Sequence, residues 1–104
     1  MWVACTFSDQ VVGLDPDSLE VVEDVAVPGY PDTVVTGPDG TLLVVAEQGP
    51  TLVGVDPATG AVEERVLGEL APLGDRANHD AAVVDGEVWV TSHSTDRVHR
   101  LPVR

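Results

Sequence analysis

Few residues in this chain are equipped for chemistry. The ones that are include two histidines, His79 and His93, and a carboxylate, Glu47. Two imidazoles beside a carboxylate could bind a transition metal or act as general acid and base. The competing reading makes them solvated polar groups on loops. His99 stands inside a strand-like run, at a place where the two other copies of that run have Val, and reads as a strand residue on an exposed or half-covered face. Asp39 and Asp85 each precede a glycine and read as turn formers. Cys5 is the single cysteine, so no internal disulfide can form. It sits in an apolar run and reads as a small buried hydrophobe. No acidic spacing matches a calcium loop, and there is neither a phosphate-cradling glycine loop nor a G-x-S-x-G stretch. A divalent metal at the histidines is therefore the one cofactor these residues leave open, and no metal ligand set is assigned.

Composition narrows the partners. The chain has 104 residues and is 43% apolar, enough for one ordinary core. It has 18 acidic residues against 5 basic ones, all arginine, for a formal net charge of −13. Such a surface repels phosphate backbones and anionic lipid, so nucleic acid and membrane surfaces are disfavoured. No run approaches the ~18 apolar residues of a membrane span. The opening "MWVACTFSDQ" has no basic region and no cleavage site, so it does not read as a signal peptide.

Whether the candidate groups meet depends on the elements that carry them. Trp2 to Pro16, Leu43 to Pro57 and Trp89 to Val103 overlay without a gap, at offsets of 41 and 46 residues. Trp2, Leu43 and Trp89 coincide, as do Val11, Leu52 and Val98. Leu14, Val55 and Leu101 coincide too. Asp39-Gly40 and Asp85-Gly86 repeat the offset of 46. Self-similarity at this period, with about four strands in each repeat, is the signature of propeller blades. The runs "TLLVVA" and "EVWVTS" are nearly continuously apolar, as suits strands covered on both faces. Trp2 and Trp89 share one repeat position and read as core.

The expected fold is therefore all-β, a partial β-propeller of about two and a half four-stranded antiparallel blades. Strands b to d of a first blade fall in 1–30, a complete blade in 31–75, and strands a to c of a third in 76–104. The ten strands are placed near 2–6, 10–14, 20–27, 34–36, 41–46, 51–55, 61–67, 80–84, 87–92 and 97–101. Asp56-Pro57 and Gly60 suit a type I turn followed by a left-handed residue. Leu19 stands where Gly60 does, so the first copy's turn must differ or be strained. Val62, Val66, Leu67 and Leu70 fall at helical spacing, so 61–71 has a helical alternative to the strand.

The stretch "PDTVVTGPDGTLLVVAEQGPTLVGVDPATGAV" resembles the propellers of the YVTN, NHL and streptogramin lyase group. "NHDAAVVDGEVWVTSHSTDRVHRLPV" follows the same pattern, with His79 near the place of Asp32. The resemblance implies a ligand face built from the b-to-c and d-to-a loops. The residues it would put there include Phe7, Ser8, Asp9, Gln48, Ser94 and Asp96. The ligand-binding candidates are Tyr30, Glu47, Arg76, Asn78, His79 and His93. The second d-to-a connection is also the longer, since Asp56 to Asp85 spans 29 residues and Asp15 to Asp39 spans 24. Insertions in repeat proteins favour the binding face.

The expected function is a binding scaffold presenting loops on one face to a small molecule or protein, as a piece of a larger propeller. Further blades, or self-association through open blade faces, are the expected partners. The rival is a metal-dependent enzyme of lyase or lactonase type using His79, His93 and Glu47. The lyase resemblance alone cannot assign a catalytic set, because these repeats serve enzymes and binders alike.

Overall fold

The structure, a computed structural model of the chain, describes residues 1–47, 51–66, 79–92 and 96–103. Among them are ten strands, one short 3-10 turn at Thr6–Ser8, and no α-helix. β1 (Trp2–Cys5), β2 (Gln10–Leu14) and β3 (Val21–Ala26) form a first antiparallel sheet. β4 (Pro31–Thr36), β5 (Leu42–Ala46), β6 (Thr51–Val55) and β7 (Val62–Val66) form a central one. β8 (His79–Val84), β9 (Glu87–Ser92) and β10 (Arg97–Pro102) form a third. The fold is all-β, and each sheet is a meander of sequence neighbours.

One difference from the sequence reading concerns a boundary. β4 begins at Pro31, earlier than Val34, and pairs with β5 through an irregularity between Pro31 and Thr33. Proline is tolerated as the first residue of a strand because its missing N–H falls outside the ladder. Over 62–66 the strand outcompetes the helix. Here β7 pairs with β6 from Val55↔Val62 to Thr51↔Val66, so its backbone groups that face β6 find partners on an existing sheet edge. Residues 67–71 lie outside the described residues.

The sheets stack with the central one in the middle. Leu42, Val44, Val53 and Val55 point one way, onto Val11, Val25 and Val27, with Trp2 and Val34 closing the cluster. Leu43, Val45 and Leu52 point the other way, onto Val88, Val90 and Val103, flanked by Ala81, Val83 and Leu101. All five residues of β5 are buried, which accounts for its unbroken apolar run. Arg65 fastens the outer side of this second interface. Its Nη1 donates to the Pro102 carbonyl at 2.8 Å and its Nη2 to that of Val103 at 3.4 Å.

The repeat position that holds Trp2, Leu43 and Trp89 keeps one sense through the stack. Trp2 packs toward the central sheet and Leu43 toward the third. Trp89 points out of the third sheet and is 37% exposed, so it is not the core residue the repeat suggested. The register is right, but among the described residues no sheet lies beyond it. Its cross-strand neighbour is Arg100, whose guanidinium lies 4.9 Å from the indole centroid and also pairs with Glu87 at 3.2 Å. In the first sheet the equivalent neighbour of Trp2 is Gly13. A Cβ there would come within 3.1 Å of the indole, so the glycine leaves room for the ring. Cys5 is half-buried, not fully buried.

The turns obey local chemistry. Asp85 and Gly86 both have positive φ, 49° and 77°, as a two-residue hairpin of the I′ type requires. Asp39-Gly40 sits in a wider loop, in which Gly37 N–H donates to the Thr41 carbonyl at 2.7 Å. The Asp56 turn closes through Gly60 N–H to the Asp56 carbonyl at 2.7 Å. Leu19 reproduces that turn unaided by glycine, with φ at 61° and its N–H 2.8 Å from the Asp15 carbonyl. Asp15 holds the bend open for it, accepting on Oδ1 from the N–H of Asp17 and Ser18 at 2.8 and 3.1 Å. Those N–H bonds from Ser18 and Asp17 hold the Asp15 carboxyl below its ordinary value.

Candidate functional site

The meanders put their connections at two ends of the stack. One end collects the β1–β2 connection, the β3–β4 connection, the end of β5 and the starts of β8 and β10. The other collects the tight turns after β2, β4, β6 and β8. Tyr30, Glu47 and His79 all lie at the first end. Arg76, Asn78 and His93 lie outside the described residues, as do Gln48 and Ser94.

Tyr30 is built into the β3–β4 connection in a left-handed conformation, φ 59°. Its N–H donates to Asp9 Oδ1 at 3.0 Å, and its carbonyl accepts from the N–H of Glu47 at 3.0 Å. Asp9, itself at φ 51°, also accepts on its carbonyl from Val27 N–H at 2.9 Å. The Tyr30 ring meets Phe7 edge to face, with centroids 6.3 Å apart. Three connections are thereby tied to one another by backbone groups.

His79 is not a loop residue. It is the first residue of β8, and its side chain is wholly buried. Its N–H donates to Asp32 Oδ2 at 2.9 Å, and its Nδ1 lies 3.5 Å from the same oxygen. The two residues stand at matching places in adjacent sheets, so the bond ties β8 to β4. Among the described residues neither ring nitrogen has a hydrogen-bond partner, and the same holds for Nε2 of His99. His99 faces the central sheet beside Val90 and Ala81. Burial, with Arg97 and His79 as further causes, pushes its pKa below the ordinary 6.5.

Among the described residues no group of three or more His, Cys, Asp or Glu side chains is arranged to hold a metal ion. Sequence reasoning missed Asp32, the partner of His79. The overlay of the two positions was the available signal, because equivalent residues in stacked repeats become neighbours. A polar hollow of about 110 Å³, lined by Asp39, Thr41, Glu63 and Arg65 above Leu43, lies at the opposite, tight-turn end. Sequence reasoning assigned nothing there. No protein-family model, no curated protein and no solved structure matches the chain.

Proposed function

We propose that the three stacked sheets are adjacent blades of a β-propeller, and that the chain is a binding scaffold presenting its loop end to a small molecule or protein. One observation carries the reading: separate connections converge at one end and are tied together through Asp9, Tyr30 and Glu47. Loops held in register by a rigid sheet stack are the usual carriers of binding. Like-facing repeat positions support the blade reading, and the outward Trp89 supports further blades, or another copy, against the third sheet. An amide-resolved titration of the labelled chain with a small-molecule library tests the function. Binders should move resonances at 6–9, 27–32, 47 and 79–80. Binding confined to the tight-turn end would overturn it.

The metal-dependent lyase or lactonase reading has one observation in its favour, the unpartnered nitrogens of His79. Against it, a side chain with no exposure cannot meet a substrate without the third sheet moving. Zinc titration of wild type and His79→Ala separates the two. Equal, negligible binding removes the metal.

A further inference from the structure

The two open faces of the stack differ in kind. Both internal interfaces are built alike. The Trp2 side of the first sheet packs on the Leu42 side of the central sheet, and the Leu43 side of the central sheet packs on the third. The third sheet therefore leaves open the side that carries Trp89 and Val98. These are the repeat equivalents of Trp2 and Val11, which the first sheet buries against its neighbour. The first sheet leaves open the opposite side, the one that carries Val3 and Val12.

That side has the chemistry to receive a Trp89 face. In the overlay Met1, Val3, Val12 and Leu14 fall on Leu42, Val44, Val53 and Val55. The latter four are the central-sheet residues that receive Trp2 and Val11. All four counterparts in the first sheet are apolar. Met1 and Leu14 exchange backbone hydrogen bonds of 3.2 and 2.7 Å, so they stand opposite each other as Leu42 and Val55 do. Each end of the stack thus presents the complement of the other end.

Charge disfavours the pairing of two first sheets. Residues 1–30 hold six acidic side chains and no Lys or Arg, and Asp24 lies on the open face across from Val12. Residues 79–104 hold four acidic side chains and three arginines. A first sheet therefore meets less repulsion against a third sheet than against another first sheet.

We propose that a second copy of this chain covers these faces head to tail, the third sheet of one copy on the first sheet of the other, and that two copies close a ring of six sheets. This rests on reading the sheets as propeller blades. Six lies within the four to eight blades over which propellers usually close, whereas three copies would give nine. Each new junction has three strands on both sides and is narrower than the internal ones. Closure forms two junctions at once, which favours the pair over an open chain.

Complementation between two variants tests the arrangement. Sedimentation of the wild type at rising concentration should show a two-copy species and nothing larger. Val3→Asp spoils only the first-sheet face and Val98→Asp only the third-sheet face. Each should weaken self-association at least about tenfold, because every junction would bury a carboxylate without a partner. An equimolar mixture keeps one intact junction, so it should pair one to one, at least about tenfold more tightly than either variant alone. Both side chains are exposed in the single chain, so both variants should melt cooperatively. If one does not, Val3→Thr or Val98→Thr takes its place. A variant that still pairs with itself as the wild type does shows like faces meeting, and overturns the proposal. So does a mixture that pairs no better than its components, or a wild type that is monomeric throughout or grows beyond two copies. The library titration reads the loop end and neither of these faces, so the ligand face stands or falls separately.

Discussion

At the scale of single residues, five non-glycine positions among the described residues adopt positive φ: Asp9, Leu19, Tyr30, Asp85 and Asp96. Asp tolerates this region, but Leu19 is branched, 63% exposed and gains little there. Leu19→Gly should therefore stabilise the chain by about 0.5–1 kcal/mol, the left-handed cost less the added freedom of the unfolded glycine. A urea melt of the two proteins would show it, and a loss of stability would mean that the Leu19 side chain is holding something. His99 offers a pH handle. Its repeat equivalents, Val12 and Val53, are buried valines facing the preceding side of their sheets. The folded pKa of His99 lies below 6.5, so below 6.5 the unfolded chain binds more protons than the folded one. Stability from this group is intact above that value, falls as pH drops through it, and levels off below the folded pKa. His99→Val should flatten this portion of the stability profile, read from melts between pH 7.5 and about 4.5. An unchanged slope would assign the acid loss to other groups. Leu19 was legible as an anomaly from the overlay alone. The burial of His79 was not, because the overlay brings it beside Asp32 without showing what covers its side chain.

At the scale of elements, strand positions were legible because the repeat registers three copies against one another. An error in one copy is exposed by the others. The strand over 62–66 shows how a local helical pattern yields to a waiting sheet edge, as tertiary pairing commonly overrides propensity. Leu43 tests the register. It is 1% exposed and central to the interface with the third sheet. Leu43→Ala should cost about 2–5 kcal/mol, whereas a change below about 0.5 kcal/mol, typical of surface sites, would contradict the packing. The fate of Trp89 was illegible for a physical reason. A repeat position tells which way a side chain points, and burial depends on what stands opposite.

At the scale of the whole molecule, the central sheet is covered on two sides and each flanking sheet on one. The outer face of the third sheet exposes Val84, Trp89 and Val98, at 48, 37 and 58%. Three strands of five residues present roughly 250 Å², and two such faces approach the largest apolar patches that soluble monomers tolerate. The purified chain should therefore self-associate in sedimentation experiments at rising concentration, and Val98→Asp should shift it toward monomer. A clean monomer at every concentration, with a cooperative melt, would show that these faces need no cover. The placement of the two tryptophans also has an optical consequence. Trp2 lies between sheets and Trp89 at the rim under a guanidinium, so the protein emits from two chromophores in different solvents. Whatever covers the third sheet should dry the Trp89 indole and blue-shift its share of the fluorescence, while the Trp2 share stays still. A Trp2→Phe protein would then report docking at that face by colour alone.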